Sequence, residues 1–351
     1  MTGMSEKLTD WLCAQVSEGD LRIEGLDRVE FGHSAEMMVF TIVTSADSRD
    51  VVLRLRPRPP ALLEPYDLER QFQILRALEG TRVLAPGALW LEDSGDVLGR
   101  PFLVMERVAG EVYEMQAPEA APEQIRHMCL SMAEQLAAIH TVDLRATGLD
   151  FLGGGTDHLD RELDHWADEM HRVQRGRLPA LERLIAELKG TKPEPSQAIT
   201  LVHGDAKPGN FAFVSDDVSA VFDWELTTVG DPLTDIGWME LMWMQPVGIT
   251  SHLAAPTFDE FLSRYESASG INAQNRSWYR ALNAYKMAVI CLIGSMLFDA
   301  GHSDDQRFLL NASGISLLTQ LGFADLGIEE KLDDGPVMPR DERVKQVQSA
   351  C

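Results

Sequence analysis

The residues between Leu201 and Glu225 include three oxygen-bearing side chains at a spacing suited to phosphoryl transfer. Four residues separate Asp205 from Asn210, and Asp223 follows an apolar segment further along the chain. A carboxylate in the first position can accept the proton of an attacking hydroxyl, whereas an amide oxygen and a second carboxylate can bind magnesium. Because phosphoryl transfer depends mainly on positioning and charge neutralisation, we expect Asp205 to act as the base and Asn210 and Asp223 to bind the metal.

Lys207 and His203 lie in the same loop as Asp205, and their chemistry predicts different roles. The Lys207 ammonium suits the γ-phosphate as charge develops during transfer. We expect the His203 imidazole to hold the loop through hydrogen bonds, and the Asp235 carboxylate to bind backbone amides of the loop. The Trp and Met side chains after Asp235 are interpreted as core: Trp238, Met239, Met242, Trp243 and Met244.

The segments around the loop predict a β-hairpin. An apolar run at 211–214 follows the loop, and a polar turn leads into a second strand at 219–225. This hairpin would return Asp223 to the side of Asn210. An amide oxygen and a carboxylate could then share magnesium ions that bridge the phosphates of a nucleotide.

The period of the apolar residues changes along the chain from about two to about 3.6, which predicts a strand-rich part followed by a helical part. Strands are predicted at 26–43, 49–56, 88–91 and 102–105, with a helix at 62–78. Further helices are predicted at 123–140, 159–175 and 179–189. We therefore expect an α+β fold of two lobes, residues 1–107 and 108–351.

The composition, with 45% hydrophobic and 25% charged residues in a chain of 351, is that of a globular protein long enough for two lobes. The formal net charge of −24 argues against nucleic acid as a partner, because phosphate backbones are held by surplus Lys and Arg. The four cysteines are far apart and predict neither a disulfide framework nor a zinc site. A reducing cytoplasm fits this pattern.

The N-terminal segment is polar and charged and lacks the apolar core of a signal peptide. The longest apolar run, at 287–298, is shorter than the roughly 20 residues needed to cross a bilayer. We therefore expect a cytoplasmic protein without a membrane partner, in which this run is a buried helix. The sequence does not indicate the oligomeric state.

Three motifs, HGDAKPGN at 203–210, VFDWE at 221–225 and VGDPLTDIGW at 229–238, resemble the aminoglycoside phosphotransferase and choline kinase group of the protein-kinase-like fold. The resemblance extends to the phosphotransferase domains related to those fused to acyl-CoA dehydrogenases. It implies a two-lobed fold with ATP and Mg²⁺ in the cleft, and phosphorylation of a small-molecule hydroxyl. It also implies that Asp205 is the catalytic aspartate and that Asn210 and Asp223 are the metal ligands.

The strand at 49–56 resembles the kinase strand that carries a phosphate-binding lysine, but Arg54 stands in the place of that lysine. Strand alternation puts Val52 and Arg54 on one face. In kinases the cation pairs with a helical glutamate. Glu69 is the nearest candidate, whereas the apolar register of the helix places Gln71 there, and both remain open.

The same resemblance implies further nucleotide contacts. The loop that would cover the phosphates has a single glycine, and Ser34 could assist it through its hydroxyl or backbone. The segment after the strand at 102–105 resembles the kinase hinge. There the carbonyl of Glu106 and the N–H of Val108 would contact adenine.

These motifs do not specify the acceptor. The acidic stretch at 158–174 could bind an aminated substrate, but a solvated helix face explains it better because Leu159, Leu163 and Trp166 form a buried stripe. Two alternatives to a small-molecule kinase stay open. The altered position 54 and the sparse glycine loop would suit a nucleotide-binding pseudokinase or scaffold module. A protein kinase is disfavoured because the chain lacks an Ala-Pro-Glu segment after Asp223.

Overall fold

The first part of the chain forms one antiparallel sheet covered by a helix. The computed structural model describes residues 2–16, 21–29, 35–174, 176–194 and 198–329. Helix α1 (Thr2–Gln15) precedes strands β1 (Arg22–Val29), β2 (Glu36–Val43), β3 (Ser48–Leu55), β4 (Ala88–Glu92) and β5 (Phe102–Glu106). The sheet order is β1-β2-β3-β5-β4, and each neighbouring pair is antiparallel. The strands predicted at 49–56, 88–91 and 102–105 are confirmed; of the run predicted at 26–43, residues 26–29 and 36–43 are strand and 30–34 lie outside the described residues.

Alternation along β3 gives the two faces of the sheet different roles. Val51 and Leu53 pack in an apolar cluster with Leu8 of α1. Val52 and Arg54 belong to the opposite face, where both line a large cavity. The prediction that Val52 and Arg54 share a face is confirmed, and α1 adds a cover that the sequence pattern did not indicate.

Helix α2 (Leu68–Leu78) is shorter than the helix predicted at 62–78. It begins where the side chain of Asp67 accepts the Arg70 backbone N–H at 2.9 Å, which is a standard N-cap contact. The residues before this cap form a loop whose apolar side chains pack against the main core. The cap therefore converts the first part of the predicted helix into a connection between the sheet and the helical part.

The second part of the chain is mostly helical. Its helices are α3 (Pro122–His140), α4 (His158–Val173), α5 (Pro179–Gly190), α6 (Leu233–Trp243), α7 (Phe258–Ser269), α8 (Arg276–Asp299) and α9 (Arg307–Asp325). Strands β6 (Glu111–Val112), β8 (Phe211–Val214) and β9 (Asp217–Val221) form one small sheet, and β7 (Thr200–Val202) pairs with β10 (Thr228–Gly230). The helices predicted at 123–140, 159–175 and 179–189 are confirmed as α3, α4 and α5.

Helix α8 lies at the centre of the helical part and packs against α4, α5, α6 and α9. Within the described residues it is the one helix long and apolar enough to cross a membrane, but 83% of its most apolar window is buried inside the molecule. Tyr285 and Leu292 on this helix are almost completely buried. Its burial is that of a core helix, as the apolar run at 287–298 predicted.

Candidate active site

The predicted hairpin is confirmed as β8 and β9, and it brings Asp223 beside Asn210. Phe211 pairs with Val221, and the backbone N–H of Phe222 donates to the carbonyl of Asn210 at 2.8 Å. Strand β9 ends at Val221, so Asp223 lies beyond the strand predicted at 219–225. Its backbone is left-handed, with φ of +62°, and Asn210 and Asp223 line the same cavity.

The carboxylate of Asp205 is fixed by two side-chain donors. The indole N–H of Trp238 donates to Oδ1 at 2.8 Å, and the Asn210 amide donates to Oδ2 at 2.8 Å. The same amide nitrogen donates to the Asp205 carbonyl at 2.8 Å. With its nitrogen used in this way, Asn210 presents its amide oxygen as the atom suited to bind a metal ion.

Asp235 anchors the loop through backbone N–H groups, as the sequence predicted. Its carboxylate accepts the backbone N–H of His203 at 2.7 Å and of Gly204 at 2.8 Å. His140 approaches the same carboxylate at 3.0 Å through Nε2. Burial disfavours the charge on Asp235, but these hydrogen bonds outweigh it and lower the pKa of the carboxyl group below its usual value.

His203 ties the loop to the turn that carries Asp223. Its Nδ1 accepts the Asp205 backbone N–H at 3.2 Å, so Nε2 carries the proton and donates to the carbonyl of Phe222 at 2.8 Å. Burial lowers the pKa of His203, which favours this neutral form. Both ring nitrogens are engaged by backbone groups, in agreement with the predicted structural role.

The side chain of Lys286 on helix α8 also contacts the loop. Lys286 donates to the carbonyl of Gly204 at 2.6 Å, and its ammonium lies 4.7 Å from the ring centre of Trp238. Gly204 has φ of +84°, and a Cβ there would lie 2.3 Å from the Leu226 carbonyl oxygen. Only glycine therefore fits this turn of the loop.

Lys207 lies in the cavity with its ammonium close to two carboxylates. It is 3.3 Å from Oε1 of Glu114 and 3.9 Å from Oδ2 of Asp205. Burial opposes the charge on Lys207, but the carboxylates of Asp205 and Glu114 outweigh it and raise the pKa of the ammonium above its usual value. Lys207 is therefore a protonated group beside Asp205. Glu114 was not recognised in the sequence, because it lies far from the motifs.

Arg54 is buried and contacts three side chains. Its Nη1 donates to Asp223 Oδ1 at 3.1 Å, Nη2 donates to Glu225 Oε2 at 2.6 Å, and Nε donates to the Tyr66 hydroxyl at 2.6 Å. Burial opposes the charge of Arg54, but Tyr66 and Glu225 raise its pKa further above the usual range. The guanidinium is thus a fixed cation next to Asp223.

Neither helical candidate supplies a carboxylate to Arg54. Glu69 is exposed and accepts a hydrogen bond from Gln73 at 3.2 Å. Gln71 is buried, as the apolar register predicted, but its side chain is neutral. The partner that the sequence left open between Glu69 and Gln71 is neither of them: a carboxylate contact of Arg54 comes from Glu225, two residues after Asp223.

One cavity of about 400 Å³ lies between the sheet and the helical part. Eight residues were predicted to contact the acceptor, the nucleotide or the metal, and seven of them line this cavity: Arg54, Glu106, Val108, Asp205, Lys207, Asn210 and Asp223. The eighth, Ser34, lies outside the described residues. The sheet adds apolar side chains near the hinge segment, and helices α8 and α9 add others: Val39, Val52, Leu103, Met105, Met287, Ile290 and Phe308.

Two carboxylates of the acidic helix α4 lie on its exposed side. Asp164 pairs with Lys189 at 2.6 Å, and Asp160 pairs with Lys192. The stripe predicted to be buried is confirmed, since the side chains concerned are almost completely enclosed: Leu159, Leu163 and Trp166. These two carboxylates are thus on a solvated face with lysine partners, whereas Glu162 accepts the Trp166 indole N–H at 3.0 Å and lines a smaller pocket with Lys286.

Comparison with known proteins connects this geometry to a family. The model of the phosphotransferase enzyme family matches residues 29–282. The chain is 31% identical over 279 residues to mouse acyl-CoA dehydrogenase family member 10, and 28% identical over 296 residues to rat acyl-CoA dehydrogenase family member 11. These alignments cover 76% and 80% of this chain but 26% and 38% of the relatives, so the chain spans a minor part of their length.

Solved structures share the whole fold. A Ralstonia eutropha protein described as a candidate aminoglycoside phosphotransferase has a TM-score of 0.76 at 25% identity, over 92% of this chain and 98% of that one. A macrolide 2′-phosphotransferase from Brachybacterium faecium has a TM-score of 0.55 at 20% identity, over 93% and 99% of the two chains. The chain therefore belongs to the phosphotransferase enzyme family and has the two-lobed α+β fold of the aminoglycoside phosphotransferases, as its motifs predicted.

Proposed function

We propose that this chain transfers the γ-phosphoryl group of ATP to a hydroxyl of a small molecule, in a reaction that depends on Mg²⁺. The observation that carries the proposal is the arrangement around Asp205. Its carboxylate is fixed by two donors and faces a cavity that Asn210, Asp223 and Lys207 also line. A base, two oxygen ligands and a cation around one cavity are the groups that phosphoryl transfer requires.

In the proposed reaction, Asp205 orients the acceptor hydroxyl and takes its proton as the new P–O bond forms. Lys207 stabilises negative charge on the transferred group, and Arg54 holds the remaining phosphates. The amide oxygen of Asn210 and the carboxylate of Asp223 suit Mg²⁺, which prefers few protein ligands and completes its shell with phosphates and water. Bound there, the ion would neutralise phosphate charge.

We assign the nucleotide to the part of the cavity next to the sheet. Apolar side chains such as Val52 and Met105 would enclose adenine, with the carbonyl of Glu106 and the N–H of Val108 as its polar contacts. Ser34 would assist at the phosphates. Residues 1–107 would then form the nucleotide-binding lobe and 108–351 the catalytic lobe of a cytoplasmic enzyme. Aminoglycoside phosphotransferase APH(4)-Ia, which shares the fold, forms a ternary complex with ADP and hygromycin B.

The acceptor would enter beside helices α8 and α9, where the wall is apolar. Met287, Ile290 and Phe308 contribute to this wall. Several nearby carboxylates already have cationic partners, since Glu114 contacts Lys207, and Asp164 and Asp160 on α4 pair with lysines. This arrangement favours an acceptor with apolar surface near its hydroxyl over a polycationic aminoglycoside, because charged amines need carboxylate partners.

One observation favours a second candidate function. Arg54 contacts Asp223, the residue assigned to the metal, at 3.1 Å. A protein that binds nucleotide without efficient transfer would also tolerate this contact. The two candidates differ in turnover, not in nucleotide binding.

The test is an assay of ADP release and of phosphorylated product with purified protein, Mg²⁺-ATP, and two acceptor panels, hydroxy compounds with aliphatic chains and aminoglycosides. We expect turnover with the first panel and its loss in Asp205→Asn, while Asp217→Asn, with an 80% exposed side chain, stays active. Nucleotide-dependent thermal stabilisation without turnover would support the second candidate. If the protein shows no nucleotide-dependent stabilisation and no turnover, both candidate functions are refuted.

A further inference from the structure

The contact between Arg54 and Glu225 crosses the cleft between the sheet and the helical part. The two side chains are 7% and 10% exposed, and Nη2 donates to Oε2 at 2.6 Å. Arg54 belongs to β3, whereas Glu225 lies in the short 3-10 turn Trp224–Leu226, directly after Asp223. A buried, charge-assisted hydrogen bond of this length fixes both partners strongly.

Helix α2 supports the same turn but does not supply the charge. The guanidinium of Arg70 on α2 donates to the Thr227 carbonyl, immediately after the turn. Tyr66, before α2, accepts from Nε of Arg54 at 2.6 Å, and the α2 candidates offer no carboxylate, since Glu69 is exposed and Gln71 is neutral. The helix therefore contributes hydrogen bonds, and the counter-charge of the cation comes from Glu225.

The three nitrogen atoms of the guanidinium point in different directions, so two of them can hold Arg54 in place while the third contacts a phosphate. Nη2 and Nε are directed at Glu225 and Tyr66, on the buried side, while Nη1 is directed at Asp223 Oδ1, whose side chain is 34% exposed. At 3.1 Å this contact is the longest of the three, so Nη1 is the donor that a nucleotide phosphate would take from Asp223. The other two contacts can persist.

We propose that Glu225 is a positioning residue for phosphate binding: with Tyr66 it holds Arg54 so that Nη1 meets the nucleotide phosphates. The inference rests on the proposed function, since it concerns the same nucleotide. It replaces the helical glutamate by a carboxylate from the turn that follows the metal-binding residue. The competing role for Glu225 is that of a further metal ligand, and the two roles predict different dependences on Mg²⁺.

The experiment measures ADP affinity by calorimetry, with Mg²⁺ and with EDTA, for Glu225→Ala, Arg54→Met and the double variant. We expect Glu225→Ala to weaken ADP binding about tenfold under both conditions, because a fixed cation is lost. In the Arg54→Met background the same change should alter affinity less than twofold. Glu69→Ala, the exposed carboxylate on α2, is the matched control and should bind ADP like the wild type.

Several results would overturn the inference. These are equal effects of Glu225→Ala in both backgrounds, an effect confined to the Mg²⁺ condition, or a raised half-saturating Mg²⁺ concentration. If Glu225→Ala does not fold, Glu225→Gln is measured in the same cycle and should show the same coupling with a smaller loss.

The two proposals fail separately. Wild type that binds ADP with the expected coupling but phosphorylates no acceptor would refute the proposed function and leave this inference standing. Phosphoryl transfer without coupling between Arg54 and Glu225 would support the proposed function and refute this inference. Absence of ADP binding would refute both.

Discussion

Trp238 donates its indole N–H to Oδ1 of Asp205 at 2.8 Å, although its ring is almost completely buried. Trp238→Phe removes this donor and keeps most of the packing. A hydrogen bond to a charged group contributes about 1.5–3 kcal/mol, so we expect kcat to fall about 10- to 100-fold. The Kd for ADP should not change, since the contact lies at the acceptor hydroxyl.

The matched control is Trp243→Phe on the same helix. Trp243 packs against Phe258 and Phe261 and makes the same apolar contribution without touching Asp205. Similar kcat values for the two variants would show that Trp238 acts through packing alone. Equal losses of thermal stability with a loss of kcat in Trp238→Phe alone would support positioning.

Lys207 provides the next prediction, because its ammonium stands 3.9 Å from the Asp205 carboxylate. Lys207→Met removes the charge and keeps the length of the side chain. If Lys207 stabilises charge that develops during transfer, kcat should fall about 10²- to 10³-fold, with a much smaller change in the Kd for ADP. Lys189→Met, which breaks an exposed pair with Asp164, is the control and should keep wild-type kinetics. A weaker affinity for ADP with an unchanged kcat would mean that Lys207 acts in nucleotide binding and not in the transfer step.

The turn at Gly204 makes a prediction about stability. Gly204→Ala combines a left-handed backbone with a Cβ that would lie 2.3 Å from the Leu226 carbonyl. Gly80 has a similar φ of +75° with nothing near its Cβ position, so Gly80→Ala isolates the backbone cost of about 1 kcal/mol. We expect Gly204→Ala to lower Tm clearly more than Gly80→Ala and to abolish turnover. Equal shifts in Tm would mean that the loop relaxes around the methyl group.

His158 predicts a dependence of stability on pH. Its Nδ1 accepts the Asp231 backbone N–H at 3.1 Å, and burial lowers its pKa even though Glu162 and Asp231 favour the charged form. The unfolded chain therefore binds this proton at higher pH than the folded chain. The contribution of His158 to the free energy of unfolding should be fully present above about pH 6.5 and should decrease as the pH falls below that value.

The variant His158→Asn keeps an oxygen that can accept the Asp231 N–H but cannot titrate in this range. We expect the decrease in Tm between pH 7.5 and pH 5.5 to be smaller in His158→Asn than in the wild type. Denaturant melts at the two pH values would give the same comparison as free energies. An identical decrease in both proteins would exclude His158 as a source.

The sequence predicted the parts of the site that lie close together in the chain. Asn210 and Asp223 directly flank one hairpin and Asp205 lies in the loop before it, so spacing and strand pattern were enough to place them beside one cavity. The anchoring of the loop by Asp235 was also predicted and is confirmed by its two backbone contacts. Local periodicity specifies such arrangements because few residues separate the partners.

Contacts between residues that are far apart in the chain were not predicted. Glu225 was visible in the motif, but nothing in the local pattern indicates that it reaches Arg54 on a strand of the other lobe. Trp238 was interpreted as core, and it is buried, yet its single polar atom reaches Asp205. A stripe of apolar residues does not reveal which of its members has a polar atom directed at a reacting group.

The ammonium of Lys286 that holds the Gly204 carbonyl has a consequence for how the enzyme is completed during synthesis. A nascent chain that has emerged only as far as α6 contains each proposed participant in phosphate transfer, yet its loop still lacks this tether. Catalytic competence therefore arrives late, after the last long helices have docked. A substitution of Lys286, which does not line the cavity, is therefore expected to slow the reaction through the loop that carries Asp205.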